Sequence, residues 1–249
     1  MPGEYTMTTT AVIPDCHIPW HDVKAWALAL KAIREIQPDR VVILGDFIDC
    51  LAISTFPKSP DRVHHLRYEV ETGEACLDEL MEAAPEAEID FLEGNHEHRM
   101  SKYLATKAPE LFGLVSIRKL LRVDERGWKW VPYRHHVTHG KIAYSHEIGH
   151  FGKQAVQQSL DSFGGNIVFG HTHRGGIAYG GTVKGEHRVA MSCGWLGDGS
   201  AVDYMHKSKT RDWQTGMGLV QQDRAGNGWL SFCPIIGGKI NVQGTWVGK

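Results

Sequence analysis

Short apolar runs alternate with amphipathic stretches along most of this chain. Residues 8–14 and 41–44 are runs of apolar and β-branched residues, too short for helices and apolar enough for strands buried on both faces. Between them Val23, Trp26, Ala27, Leu30, Ile33 and Ile36 recur at helical spacing, with Asp22 ahead of them and Gln37-Pro38-Asp39 behind. An aspartate suits a helix N-terminus, and the residue before a proline is driven out of helical geometry. Strand, helix, strand in this order predicts a right-handed parallel β-α-β unit.

The rhythm continues. A loop is expected over 51–62, which holds Pro57 and Pro60, then a helix over 66–84 stopped by Pro85 and a strand over 89–92. Helices are expected over 99–107 and 109–121. From Trp128 the pattern turns to strands, at 128–131, 141–145 and 166–169, interrupted by an amphipathic helix over 152–163 that Gly164-Gly165 closes. The Gly-rich remainder, 175–249, predicts antiparallel β structure. The expectation is one α/β domain spanning 1–249, with 1–7 as a tail.

The apolar runs end in residues that do chemistry. In order these are Asp15 and His17, Asp46 and Asp49, Asn95 and His96, His146, and His171 and His173. Ligands of open α/β sheets bind beyond the carboxyl ends of the strands, where these residues fall. In extended chain, residues i and i+2 point the same way, so Asp15 with His17 and His171 with His173 are expected to face one cavity. One strand-end acid or histidine is ordinarily a solvated turn or a satisfied core group. Five in series point to a metal site, and a mixture of carboxylate, imidazole and amide oxygen suits manganese, iron, zinc or nickel better than calcium.

Composition narrows the partners. The formal charge of -2, with 42% hydrophobic and 22% charged residues, is that of an ordinary globular protein and excludes a broadly basic nucleic-acid binder. There is no run of ~20 apolar residues and no secretory pattern, so no membrane partner is expected and a cytoplasmic location is. Cys16, Cys50, Cys76, Cys193 and Cys233 lack C-x-x-C spacing and read as reduced thiols. Histidine is the unusual residue, with 15 copies.

Asp-x-His at 15–17, Gly-Asp-x-x-Asp at 45–49, Gly-Asn-His-Glu at 94–97, the lone His146 and Gly-His-Thr-His at 170–173 together resemble the calcineurin-like metallophosphoesterase family. The resemblance covers 15–173 and says little of the last third. It implies a four-layer α-β-β-α sandwich, with two mixed β-sheets flanked by helices. It also implies two divalent transition metal ions, manganese first, with iron, zinc or nickel as alternatives. One ion is implied on Asp15, His17, Asp46 and His173, and the second on Asp46, Asn95, His146 and His171, so that Asp46 is shared. The implied reaction is attack on a phosphate ester by a hydroxide held between the ions. His96 is the implied general acid, Asp49 its orienting carboxylate, and Asn95, Arg99 and Arg174 the implied contacts to substrate phosphate. A surface ion pair is the alternative for either arginine.

Within this superfamily, serine/threonine protein phosphatases carry Arg-Gly after the second acid and an arginine before Gly-Asn-His-Glu. Cys50-Leu51 and Glu93 stand there instead. The chain is more similar to compact bacterial and phage phosphoesterases, a group that includes nucleases and nucleotide phosphodiesterases. A phosphodiesterase for a nucleic acid or nucleotide is therefore the first expectation. The alternative is a phosphomonoesterase for a nucleotide or small phosphorylated metabolite, and the third is a scaffold that kept only the fold. Arg118, Lys119, Arg122, Arg126 and the stretch 206–211 are candidate phosphate contacts, and Trp195, Tyr204 and Trp213 candidate base-stacking groups. A solvated face and core packing are their commoner roles. His139 and His150 compete with His146 as ligands. Oligomeric state is not legible.

Overall fold

A computed structural model describes residues 7–56, 58, 65–201 and 210–248. Pro57, Pro60, His64, Tyr204, His206, Lys207, Lys209 and most of the expected tail lie outside the described residues. In chain order, strand β1 (Thr8–Ile13) leads to helix α1 (Val23–Ile36), strand β2 (Arg40–Ile43) and helix α2 (Leu66–Ala83). Strand β3 (Glu88–Leu92) is followed by helices α3 (His98–Lys107) and α4 (Ile117–Leu120), then by β4 (Lys129–Val131), β5 (His136–His139) and β6 (Ile142–Ser145). After helix α5 (Ala155–Phe163) the chain is stranded: β7 (Asn166–Phe169), β8 (Gly175–Gly181), β9 (His187–Cys193), β10 (Gly216–Gln222), β11 (Gly228–Pro234), β12 (Lys239–Val242) and β13 (Thr245–Gly248).

The opening unit follows from its sequence. The Asp22 carboxylate accepts the N–H groups of Lys24 and Ala25 to cap α1, and Gln37 ends the helix in left-handed backbone ahead of Pro38. Strand β2 then returns parallel to β1, with Val41 opposite Ala11 and Ile43 opposite Ile13. The six-stranded sheet has the order β11-β10-β1-β2-β3-β4, parallel from β1 to β4 and antiparallel at β10 and β11. The five-stranded sheet has the order β5-β6-β7-β9-β8 and is also mixed.

Strand alternation separates the layers. Ala11, Ile13, Val41, Ile43 and Phe91 pack with Trp26 and Ile33 of α1, Leu77 and Leu80 of α2, and Ile240 and Val247 of the β12-β13 hairpin. Their neighbours Val12, Val42, Leu44 and Leu92 face the other way, onto Val137, Ile142, Tyr144, Val168 and Met191 of the second sheet. On that sheet's far side Ala143, Ile167, Phe169 and Ala190 meet Leu160 of α5. Helices, sheet, sheet and helix make the four-layer sandwich. Each fully buried branched side chain contributes roughly 1.5–3 kcal/mol, which is why β1 and β2 are apolar on both faces.

Two elements differ from the sequence expectation. The helix expected over 109–121 is a single turn at Pro109–Leu111 and then α4, because Gly113 adopts φ 82° and the Ser116 side chain caps a new start by accepting from Lys119 N–H. Strand β5 is additional; its sequence HVTH lacks an apolar run. The five cysteines are buried and unpaired. Among the described residues no helix is long and apolar enough to cross a membrane.

Candidate metal centre

Two glycine-containing loops sit back to back at the carboxyl ends of β2 and β3. A Cβ on Gly45 (φ 93°) would come within 2.5 Å of the Gly94 amide nitrogen, and a Cβ on Gly94 within 2.2 Å of the Asp46 amide nitrogen. Only glycine permits that approach. Glu97 locks the loops together, its buried carboxylate accepting the N–H groups of Asp46 (2.9 Å), Ile48 (3.0 Å) and Gly94 (2.9 Å). Burial, with the Asp46 charge beside it, pushes Glu97 up to about 7. The Asp46 carbonyl accepts from Cys16 and His17 N–H, which draws in the loop after β1. The Asp15 carboxylate accepts His171 N–H at 2.8 and 3.0 Å and draws in the loop after β7.

His17, Asp46, His171 and His173 adopt φ of 54°, 48°, 64° and 56°. The expectation that extended i, i+2 pairs present these side chains is therefore corrected: the ligand types lie past the strand ends, in left-handed backbone. Such residues are uncommon outside glycine and cost on the order of 1–3 kcal/mol each, so the surrounding hydrogen bonds must hold them.

The seven side chains expected as ligands converge in one cleft. Asp15, His17 and His173 bring one ligand atom each to within 4.8 Å of one another, and Asp46, His146 and His171 do the same. His17 Nε2 lies 3.0 Å from His173 Nε2. His146 Nε2 lies 2.9 Å from Asn95 Oδ1, 3.1 Å from His171 Nδ1 and 3.4 Å from Asp46 Oδ1. Asp46 also forms a ligand-distance group with His17 and His96, so it adjoins both sets.

Outer partners orient the rings. His146 Nδ1 lies 2.9 Å from the Leu44 carbonyl, which only accepts, and His17 Nδ1 lies 3.1 Å from Asp49 Oδ1. With Nδ1 so engaged, both rings turn Nε2 inward, toward the oxygens of Asp46 and Asn95 and the other rings, and each would offer an Nε2 lone pair to an ion once that nitrogen is deprotonated. With those protons removed, nitrogen and oxygen lone pairs converge, a set that a divalent cation with mixed nitrogen and oxygen ligands would satisfy. The donor set fits such ions.

Among the side chains alone, charge is shared through protons. Burial pulls His146 down, but the Asp46 charge and hydrogen bond outweigh it and hold His146 at about 10. Burial pulls Asp46 up, yet His146 and His96 keep it well below the usual carboxylate range. Burial raises Asp15 to about 6, and burial with the neighbouring His146 lowers His171 to about 4.

A profile described as calcineurin-like phosphoesterase matches residues 8–175. The chain belongs to the calcineurin-like phosphoesterase family. It is 31% identical over 251 residues to the Gene 54 protein of Mycobacterium phage D29, covering 94% of this chain and 96% of that protein. The Gene 54 protein of Mycobacterium phage L5 is 30% identical with the same coverage. Among solved structures, vacuolar protein sorting 29 from Cryptosporidium parvum is similar at a TM-score of 0.51 and 15% identity, over 98% of this chain and 99% of that one. That last likeness is one of fold. Membership in the phosphoesterase family supports phosphoester hydrolysis and divalent-metal binding.

The match ends at 175, yet this calcineurin-like centre leans on residues of the last third. Trp195 stacks on the His173 ring with centroids 4.9 Å apart, and Trp213 meets the same ring edge-on at 4.2 Å. Gln214 N–H donates to the His173 carbonyl and Leu196 N–H to the Asp15 carbonyl.

The remaining predicted residues fall in different places. His96 N–H donates to Asp46 Oδ1 at 2.8 Å, and His96 Nδ1 lies 2.7 Å from Asp49 Oδ1. The same Asp49 oxygen serves His17, so one carboxylate orients two rings. Burial opposes ionisation of Asp49, but His96 and His17 hold it below the usual carboxylate range. Arg99 lies against this pair, Nη1 donating to the Asp49 carbonyl at 2.7 Å and Nη2 lying 3.0 Å from His96 Nε2. Arg174 leans on the carbonyls of Phe151 (3.4 Å) and Thr172 (3.2 Å) instead.

The basic stretch is already paired: Arg118 with Asp124 and Arg122 with Glu125 inside it, and Arg126 with Asp78 of α2. His139 bonds Asp90 and His150 bonds Ser162, so neither joins the cleft. Sequence reasoning passed over Glu97, although its place in Gly-Asn-His-Glu was a signal. It also missed Glu147, whose carboxylate lies 3.9 Å from His171 Nε2 and accepts from the Tyr133 hydroxyl. Its position next to His146 was the available clue.

Proposed function

We propose that this protein is a dinuclear metal-dependent phosphodiesterase acting on a nucleic acid or nucleotide. The observation that carries the reading is the position of Asp46, within reach of two donor groups and of His96 at once. Asp15, His17, Asp46 and His173 would hold one ion, and Asp46, Asn95, His146 and His171 the other, with manganese as the proposed metal. Two such ions, when bound, activate water and offset charge on the reacting phosphate.

The chain's own residues do the rest. Asp49 holds the His96 ring by Nδ1, which leaves Nε2 to give a proton to the departing oxygen. Arg99 occupies Nε2 through its guanidinium. Phosphate oxygens are stronger acceptors for that guanidinium than a ring nitrogen, so substrate entry draws Arg99 off His96 and onto the phosphate, and the freed Nε2 takes up from solvent the proton it then gives to the departing oxygen. Glu97 and Glu147 act as positioning residues, the first through the loop amides and the second through His171.

A diester carries one negative charge, and Asn95 with a single guanidinium suffices to receive it. The phosphomonoesterase reading has Arg99 in its favour too, since that cation would offset part of a monoester's second charge. Manganese-loaded protein assayed on bis(p-nitrophenyl) phosphate, p-nitrophenyl phosphate and a short single-stranded DNA separates the two. The expected outcome is faster hydrolysis of the diester. A preference for the monoester by orders of magnitude would replace this reading with the second.

A further inference from the structure

Three aromatic side chains stand at the rim of the centre, each against a different site residue. Phe151 is 53% exposed, and its ring lies 5.0 Å from that of His171. Trp213 is half-buried between the His173 ring at 4.2 Å and Trp195 at 4.8 Å. Phe56 is 68% exposed, with the Arg99 guanidinium 6.0 Å from its ring centre. Isolated exposed aromatics are ordinary, but three bordering one phosphate-type site present flat apolar faces where the rest of a substrate must lie.

A hollow of about 510 Å³ is lined by Lys153, Thr172, Arg174, Asp212 and Gln214 and by Gly152, the chain neighbour of Phe151. Chain connectivity ties it to the centre: Arg174 follows His173, Lys153 is two residues from Phe151, and Asp212 and Gln214 bracket Trp213. Lys153 pairs with Asp212 at 2.9 Å, its side chain 66% exposed. Arg174 adds a second cation, and its buried Nε has no hydrogen-bond partner. The hollow is therefore cationic on balance.

A phosphate-type site bordered by aromatic faces and by a cationic hollow offers partners for the groups of a single nucleic-acid strand: phosphate, base and next phosphate. Bases in a duplex are already stacked and offer no free face, and a mononucleotide or phosphorylated sugar offers no run of phosphate, base and next phosphate. We propose that the substrate is a single-stranded polynucleotide. Its scissile phosphate lies at the metal centre, an adjoining base lies on Phe151 and Trp213, and the next phosphate is received by Arg174 in the hollow. The proposal rests on the phosphodiesterase reading and moves Arg174 from the reacting phosphate to its neighbour.

Thymidine 5′-(p-nitrophenyl phosphate) and methyl p-nitrophenyl phosphate share the leaving group and the reacting phosphorus and differ in the nucleoside. With manganese-loaded protein, kcat/KM should favour the nucleoside ester about tenfold or more, the size of one base–aromatic stack. Phe151→Leu and Trp213→Leu should cut that ratio several-fold, and Phe151→Tyr and Trp213→Phe, which keep a flat face, should retain it. Hexathymidylate should outpace the dinucleotide TpT, and Arg174→Gln should shrink that margin. Equal kcat/KM for both esters in the unaltered protein, or faster cutting of a duplex than of its single strand, would overturn the proposal and leave the phosphodiesterase reading standing. Hydrolysis of p-nitrophenyl phosphate with neither diester touched would overturn the reading beneath it as well.

Discussion

His139 and Asp90 lie 2.5 Å apart and His96 and Asp49 lie 2.7 Å apart, and by that contact alone the two pairs would be hard to distinguish. Asp90 is on β3 of the first sheet and His139 ends β5 of the second, so the pair ties the two sheets together. Its imidazole and carboxylate satisfy each other. The Asp49 oxygen, by contrast, is shared with His17, and the His96 ring faces Asp46 and Arg99. What differs is the surroundings: one pair is closed, the other opens onto His17, Asp46 and Arg99. A histidine–aspartate contact becomes a chemical site through what its outer nitrogen faces.

Substitution of the two histidines should separate activity from stability, and the largest effect belongs to the open pair. His96→Ala is expected to lower kcat by about 10²–10⁴ on diesters with alkyl leaving groups and far less on p-nitrophenyl diesters, because only proton donation is lost. Equal losses on both leaving groups would remove the general-acid role. His139→Ala should do the reverse, leaving Asp90 buried without its partner. It should cost about 3 kcal/mol in denaturant unfolding and leave kcat near that of the unaltered protein. A folded His139→Ala protein without activity would erase the distinction.

Acidity sharpens the comparison at the open site. A bound ion must displace the proton that His146 holds at about 10, so that proton competes with the metal throughout the range from pH 6 to 9. Lower pH favours the protonated ring, and apparent manganese affinity should therefore rise about tenfold per pH unit over that range. Competition with a chelating dye measures it, and a flat profile would contradict the assigned ligand. The smallest effect is expected on the surface. Arg118→Ala and Arg122→Ala should each change stability by less than about 1 kcal/mol and leave turnover on single-stranded DNA unaltered, since those cations are already paired with Asp124 and Glu125.

Much of the cleft was legible because the crevice beyond parallel strand ends is a general place for chemistry. The apolar runs of β2, β3 and β7 each pointed at it. The backbone there was not legible. Strand alternation does not carry past the last strand residues, because His17, Asp46, His171 and His173 sit in left-handed conformations that tertiary hydrogen bonds hold. Residues 109–121 keep a helical apolar spacing and still break, since Gly113 and Ser116 are local signals that overrode periodicity. The double duty of Asp49 and the packing of Trp195 and Trp213 on His173 are contacts across long stretches of chain. No spacing rule encodes them.

The central claim is that Asp46 joins two metal sites, and metal stoichiometry tests it most directly. Protein dialysed against manganese and analysed for bound metal should carry two ions per chain, and Asp46→Asn, folded by circular dichroism, should lose both together. One ion per chain in the unaltered protein, or two tightly held ions in Asp46→Asn, would contradict the account.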